Sequence, residues 1–432
     1  MSKRTDRTSS LVRGVLYGLA AGDHNHGPIA MALIIAKQLV HLQQVNSQQE
    51  SEVATTSSEE VGSSSLLDHH HHEYYSFLNH IFSDYLEWYH QKQHGWDDTG
   101  LIGRLIFKSA ALVVVHDQSS SSSSSSVNNH SLPNKAIQQN DFTKNDDNKD
   151  DITKELYLQK IHQSAKIDQD LNGQTGGVNP AHRNVVLSMF RGWSSIDELL
   201  EISHMETIMT HHSRYAVEVA QLQNYICRRW IESSLSSSSS CSLESCSSTT
   251  KNSTLSIVTI CKDFIEKFSN PKKTNERQDS SSLKENQSDH ERQDSSSPLP
   301  IQKSSLSKEL LTCLKSLIEN TDFLRGDALE IARLRLQLSP GGFSPFTMQA
   351  ALYFVILHTH VCASKYSNDQ ELVEACLKDS FKFAGNANYC PVLVGPMLGA
   401  RFGDAVFVNL LSHSKQMTRV FEISHALAQA WQ

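Results

Sequence analysis

The sequence predicts an all-α protein, a single compact orthogonal multi-helix domain, on three observations. Apolar residues recur with helical spacing, as in IAMALIIAKQLVHL directly after Pro28, and apolar–polar alternation with a period of two is almost absent. Helix-start signals precede such runs, since proline suits a first helical turn and Ser194 or Ser195 can cap a helix beginning near residue 196. The predicted helices, in chain order, are 11–21, 28–42, 74–93, 100–115, 154–166, 196–209, 214–232, 306–319, 345–364, 369–383, 390–401 and 417–431.

Three stretches, at about 48–72, 117–152 and 233–303, have the composition of disordered insertions. They contain unbroken serine runs and two copies of ERQDSSS, and they lack the apolar surface that offsets the entropy of ordering a chain. We expect the rest to form one domain over residues 11–432. On this view, deleting residues 119–148 and 233–300 leaves the melting temperature within a few degrees.

Composition excludes several classes of protein. The net charge is −8, from 47 acidic and 39 basic residues, and no lysine- and arginine-rich block indicates nucleic-acid binding. The apolar stretch LVRGVLYGLAAG is too short to span a membrane and contains Arg13, so we expect neither a membrane protein nor a signal peptide. The eight cysteines are scattered without a CxxC pair, which suits a reducing compartment and a cytoplasmic protein.

Four loops at predicted helix ends share small, polar or charged residues: AAGDHNHGP (20–28), GWDDTG (95–100), GQTGGVNPAHRN (173–184) and GNANYC (385–390). In the second loop, Asp97, Asp98 and Thr99 offer two carboxylates and a hydroxyl within one turn. These residues either cap the following helix and favour its dipole or bind Mg²⁺, which prefers hard oxygen ligands.

The third loop is rich in glycine and then reaches His182 and Arg183. Glycines let backbone N–H groups approach an anion, and an arginine can bind a diphosphate through two parallel hydrogen bonds. The alternative is a structural loop with Arg183 in a salt bridge. The loop does not follow the G-x-G-x-x-G pattern of a dinucleotide site. In THHS (210–213), adjacent histidines on a helix point apart, which disfavours zinc.

Taken together, these segments resemble the ADP-ribosylglycohydrolase family. GLAAGDHNHGP is similar to its first G-x-A-x-G-D loop, WDDTG to its metal loop, and GGVNPAHRNVVLSM to its G-x-G-x-x-x-R segment. METIMTHHSRYAVEVAQLQNYICRRWI resembles its E-x-x-x-T-H segment, and GNANYCPVLVGPMLGARFG its final loop and glycine-spaced helix. The five segments occur in the family's order and cover most of the chain outside the insertions.

The resemblance implies an α-helical domain with a central cleft, two neighbouring Mg²⁺ ions and hydrolysis of the glycosidic bond of an ADP-ribosyl group. The implied partner is an ADP-ribosylated substrate or a small molecule like ADP-ribose, with neither nucleic acid nor membrane. The implied catalytic residues are Asp97, Asp98 and Asp23. The implied contacts to the ligand are made by Asn25, Gly176, Gly177, Asn179, His182, Arg183, Asn386, Asn388, Tyr389 and Cys390.

The final loop departs from the family pattern. Asn386 and Asn388 stand where the family has two metal-binding aspartates, and Ile29-Ala30-Met31 lacks the glutamate that many members carry after the first G-D. We therefore expect Asp97, Asp98 and Thr99 to hold one Mg²⁺, with Asn386 and Asn388 completing its ligand set or contacting ribose. Glu206 and Asp404 are further acids close to the motifs in sequence. The asparagines are either the pattern of a branch of the family or a loss of metal ligands.

Three functions remain open at this point. The first is a Mg²⁺-assisted hydrolase of ADP-ribosyl groups. The second is a module that binds ADP-ribose or a related nucleotide without turnover, which the missing aspartates favour. The third is a structural protein like the crystallin-like relatives of the family, against which the DDT and HR residues argue.

Overall fold

The computed structural model describes residues 2–23, 27–56, 65–91, 163–236 apart from 164, 172 and 174, 255–269, 305–320, 336–411 apart from 388, and 415–432. These residues form α-helices joined by short 3₁₀ turns, with one isolated β-bridge between Gly177 and Phe343. The all-α prediction is confirmed. The helices are α1 (Ser2–Gly22), α2 (Gly27–Thr56), α3 (Ser65–Gln91), α4 (Asn179–Asn184), α5 (Ile196–Ile208), α6 (Arg214–Ser236), α7 (Ile257–Ser269), α8 (Lys308–Glu319), α9 (Ser344–Ile356), α10 (Asp369–Ala384), α11 (Tyr389–Phe402) and α12 (Lys415–Gln429).

Helix α1 packs along α11, which lies far from it in the sequence. Three glycines one turn apart on α1, Gly14, Gly18 and Gly22, face α11. A β-carbon on Gly18 would overlap the backbone of Gly395, and one on Gly14 would overlap Gly399. Only glycine permits this backbone-to-backbone approach. The glycine spacing in α11 therefore serves helix packing.

Helix α6 lies at the centre of the domain and contacts α1, α4, α5, α7, α8, α9 and α11. Several of its polar side chains are buried with partners. The Asn224 side chain donates to Asn184 Oδ1 at 3.0 Å and accepts from the backbone N–H of Ser188 at 3.1 Å. These bonds hold α4 and the following 3₁₀ turn, Val185–Met189, against α6, and α4 carries three of the candidate site residues.

Helix caps largely follow the prediction. Ser195 accepts a hydrogen bond from Glu198 N at 3.2 Å at the start of α5, and Pro28 lies in the first turn of α2. The run predicted over 345–364 is instead divided, because α9 passes at Leu357–Val361 into a π-helical turn. The helices predicted at 100–115 and 154–166 lie outside the described residues, except for part of the second.

Two of the three predicted insertions, 48–72 and 233–303, need correction. The range 48–72 is partly helical, since α2 runs to Thr56 and α3 begins at Ser65. A helix that is packed over part of its length extends outward readily, because each further residue adds a hydrogen bond after nucleation. The range 117–152 lies outside the described residues.

The third insertion contains a core helix, α7, so the range 233–303 is not disordered throughout, and the structure argues against removing residues 233–300 without loss of stability. Ile257, Ile260 and Phe264 are buried on α7, and Phe264 lies 5.3 Å from the ring of Tyr225 on α6. Lys267 forms an ion pair with Asp197 on α5 at 2.5 Å. The apolar face of α7, rather than the surrounding composition, determines its structure. Among the described residues, no helix is both long and apolar enough to cross a membrane.

Candidate functional site

The first candidate loop begins at Asp23, at the end of α1. Its buried carboxylate accepts a hydrogen bond from Ile29 N at 2.9 Å and so fixes the beginning of α2. A β-carbon on Gly22 would overlap the carbonyl group of Pro391, which shows how closely this loop approaches the start of α11. The first and fourth loops are therefore neighbours.

The third loop is held by a segment that the sequence analysis overlooked, SPGGFSP at 339–345. Gly177 pairs with Phe343 in the isolated antiparallel bridge, and Ser344 N donates to the carbonyl oxygen of Gly176 at 3.0 Å. A β-carbon on Gly176 would meet the Phe343 ring at 3.3 Å. The glycine pairs at 176–177 and 341–342 in the sequence are the signal that could have identified this contact.

His182 joins the third loop to the fourth. Its Nε2 lies 2.9 Å from the carbonyl oxygen of Tyr389, and the two rings stack with centroids 6.3 Å apart. The His182 side chain is buried, and burial lowers its pKa from 6.5 to about 3, with the positive charge of Arg183 acting in the same direction. The imidazole is therefore neutral at physiological pH.

Arg183 lies in a buried ion pair, the alternative that its sequence left open. Its Nε donates to Glu206 Oε1 at 2.6 Å, and the two side chains are 3% and 0% exposed. Tyr85 donates to the same carboxylate oxygen at 3.0 Å, and the Arg183 guanidinium lies 5.6 Å from the Tyr85 ring centroid. In this arrangement the guanidinium is committed to protein groups.

A second histidine, His211, is reached from Arg183 through Thr210. The Arg183 guanidinium donates to Thr210 Oγ1 at 2.7 Å, and the same hydroxyl is hydrogen-bonded to His211 Nδ1 at 2.9 Å. A β-carbon on Gly177 would lie 3.4 Å from His211 Nε2, which places this ring beside the third loop. Burial holds the pKa of His211 well below its ordinary value, and the positive charge of Arg183 acts in the same direction.

Two acids that lie near the motifs in sequence do not add a free carboxylate to the site. Glu206 is the partner of Arg183. Asp404 pairs with Arg13 at 2.6 Å and accepts from Ser10 Oγ at 2.5 Å, beyond the C-terminal end of α11. Since α11 has 14 residues, a helix of that length separates its two ends by about 20 Å. Asp404 is thus remote from the loop that begins α11.

Three more residues that the resemblance implies as ligand contacts lie at the beginnings of α4 and α11. Asn179 begins α4 and is half-buried. Tyr389 begins α11, and a β-carbon on Gly342 would meet its ring at 3.0 Å. Cys390 is buried, and burial raises the pKa of its thiol well above the ordinary range, so it stays protonated.

The predicted metal ligands lie mostly where the structure gives no description. Asn25, Asp97, Asp98, Thr99 and Asn388 lie outside the described residues, as does the side chain of Asn386. Within the described ranges there is no group of three His, Cys, Asp or Glu side chains that could hold a metal ion. A Mg²⁺ site formed by Asp97, Asp98 and Thr99 remains a prediction, and their hard oxygen donors fit that ion.

The described part of the site is thus a meeting point of five segments: residues 20–23, 173–184, 210–213, 339–345 and 389–391. It is lined by glycine backbone and contains two buried neutral imidazoles, those of His182 and His211. Such a surface can donate and accept hydrogen bonds without adding net charge.

Comparison with solved structures finds similar chains. The chain is similar over its whole length to a solved structure titled "ADP-ribosylglycohydrolase-related protein complex", covering 100% of both chains at 11% identity with a TM-score of 0.44. A TM-score of 0.44 does not establish a shared fold. No family model and no curated protein matches the chain.

Proposed function

We propose that this protein is an ADP-ribosylglycohydrolase-like protein whose site takes an ADP-ribosyl group. The observation that carries the proposal is the convergence of three of the four motif loops. Asp23, His182 and Tyr389 are brought to one place although they are far apart in the sequence. Loops that converge at helix ends on a packed scaffold are where binding residues are commonly found.

In this proposal the chain's own residues bind and orient the ligand. The backbone of Gly176 and Gly177 would approach the diphosphate, and Asp23 and Asn25 would border the cleft. Arg183 acts through Thr210 on the ring of His211, and does not bind the diphosphate directly, because its guanidinium already donates to Glu206 and Thr210.

Mg²⁺ belongs to the proposal as an ion held by Asp97, Asp98 and Thr99, with Asn386 and Asn388 nearby. A bound Mg²⁺ supplies Lewis-acid polarisation and orientation of the sugar hydroxyls. Compared with a loop that has two aspartates, the asparagines remove two negative charges. We therefore propose that this site holds one ion weakly, or only when the ligand adds its own oxygens.

The second candidate function, binding without turnover, is favoured by the same two asparagines. Both candidates are tested by calorimetric titration of ADP-ribose with and without Mg²⁺, together with an assay for release of ADP-ribose from ADP-ribosylated protein. Turnover identifies a hydrolase, and binding alone identifies a module. If neither occurs, the proposal is wrong and a structural role of the crystallin-like kind is favoured.

The metal part of the proposal has its own test, in which Asn386→Asp and Asn388→Asp are combined. We expect higher Mg²⁺ affinity in calorimetry, because each change adds a negative charge at nearly constant shape. Asn368→Asp is the matched control, since Asn368 caps α10 and aspartate caps equally well. Tight binding of two ions by the native protein, or an unimproved double variant, would show that the asparagines are not weakened metal ligands.

A further inference from the structure

One nitrogen of His182 is fixed as a hydrogen-bond acceptor. The carbonyl oxygen of Tyr389 can only accept, so His182 Nε2, at 2.9 Å from it, must carry a hydrogen. In a neutral imidazole the other nitrogen, Nδ1, then has a free lone pair. The backbone contact therefore sets the tautomer of this ring, as second partners of histidine commonly do.

The Nδ1 atom of His182 is buried and has no hydrogen-bond partner among the described residues. His182 as a whole is only 2% exposed. Nearly all buried polar groups in folded proteins have partners, and the exceptions call for a specific cause such as a ligand or an ordered water. This atom lies on a side chain that joins two of the candidate loops, so a ligand donor is the cause we consider first.

The electrostatic surroundings define what kind of donor fits. The positive charge of Arg183, the next residue, acts on the His182 ring. A nearby cation disfavours both a protonated imidazole and a metal ion at Nδ1. The suitable partner is therefore neutral, and the neutral donors of a sugar nucleotide are its hydroxyl groups and its amino group.

We propose that His182 is a specificity-determining residue whose Nδ1 accepts a hydrogen bond from a sugar hydroxyl of the ligand. The inference rests on the proposed function for the location of the site and adds a ligand contact to it. This hydrogen bond would let the chain bind ribose through an uncharged group. It would not depend on metal ligands at positions 386 and 388, where this chain has asparagines.

Two substitutions separate the two nitrogens of the ring. His182→Gln can place its amide nitrogen near the position of Nε2 and keep the bond to Tyr389, but it lacks an acceptor at Nδ1. His182→Asn can place its amide oxygen near Nδ1 but cannot reach Tyr389. We expect His182→Gln to fold normally and to bind ADP-ribose about tenfold more weakly, as for the loss of one hydrogen bond. We expect His182→Asn to be less stable and to bind more tightly than His182→Gln.

The direct measurement is the ¹⁵N resonance of Nδ1 in protein labelled at histidine. His182→Gln identifies the signals of His182 among those of the 22 histidines, and His425→Gln, at a histidine on α12 that is exposed and bonds within its own helix, is the control substitution. The free protein should show an unprotonated Nδ1 without a hydrogen bond. ADP-ribose should shift that signal in the direction of a hydrogen-bonded acceptor.

The outcomes distinguish this inference from the proposed function. If ADP-ribose binds with equal affinity to the native protein and His182→Gln, and Nδ1 does not shift, the inference is wrong and the proposed function stands. An Nδ1 that is already hydrogen-bonded in the free protein shows an internal donor, such as a water molecule, and also overturns it. If ADP-ribose does not bind, the proposed function fails. Free ribose at high concentration then decides the inference by shifting Nδ1 or leaving it unchanged.

Discussion

Acidification should destabilise the protein through His182. The pKa of this histidine falls from 6.5 in a model peptide to about 3 in the folded chain, chiefly because the ring is buried. Between these two values the unfolded state binds a proton and the folded state does not. Stability therefore rises with pH across this window, and the contribution of His182 is lost as the pH falls below 6.5.

The size of the effect follows from the two pKa values. At pH 7 the folded ring is neutral and only about a quarter of the unfolded rings are protonated, so the pH-dependent contribution of His182 is small. At pH 5 the unfolded ring is almost fully protonated, about 1.5 pH units below its pKa. At 1.36 kcal/mol per unit, this favours the unfolded state by about 2 kcal/mol. His211 acts in the same direction, because its pKa is also lowered.

The assay is urea unfolding at pH 7 and pH 5, carried out on the native protein and on His182→Gln. The variant has no titrating group at this position. The free energy of unfolding of the native protein should therefore fall by about 2 kcal/mol more than that of the variant between the two pH values. His425→Gln should behave as the native protein does. Equal pH dependence in the native protein and His182→Gln would refute the reasoning, because it would mean that the ring is protonated in the fold or exposed to solvent.

Two further predictions concern packing. Gly18→Ala should destabilise the protein by about 3 kcal/mol or more in urea unfolding, because the added methyl overlaps the backbone of Gly395. Gly341→Ala is the control. Its methyl would meet the Ser339 hydroxyl at 3.4 Å, and it should change the free energy of unfolding little. Replacing residues 257–269 by a serine–glycine linker should lower the melting temperature by about 10 °C or more, from the loss of about 6 kcal/mol of apolar burial. Deleting residues 276–297 should change the melting temperature little. Similar melting temperatures for the linker variant and the deletion variant would contradict the packing of α7.

The fold class followed from the sequence because periodic apolar residues determine helices locally. Helix α7 was not predicted, although its residues show the same kind of local pattern. Its buried positions, Ile257, Ile260, Cys261 and Phe264, have the i, i+3, i+4, i+7 spacing of an amphipathic helix. The serine-rich composition around them suggested disorder over the whole range, although a short apolar face is enough to dock a helix on α6.

Less of the candidate site than of the fold could be predicted from the sequence. The motif order brought attention to His182 and Arg183, but not to the partner of Arg183. Glu206 lies 23 residues away in sequence, and a charge has no periodicity that points to its partner. His182 and His211 are hydrogen-bonded to a backbone carbonyl and a threonine hydroxyl, and only three-dimensional contacts reveal such partners.

The glycine-lined contact between α1 and α11 has a consequence for how the chain folds during synthesis. Helix α1 needs a partner that is synthesised much later, since Gly18 meets Gly395. Until then the glycine-lined face of α1 lacks the helix that it packs against. Loop-closure entropy grows slowly with length, so the separation costs little free energy at equilibrium. It does impose a waiting time, during which the nascent chain exposes an apolar surface of the kind that chaperones cover.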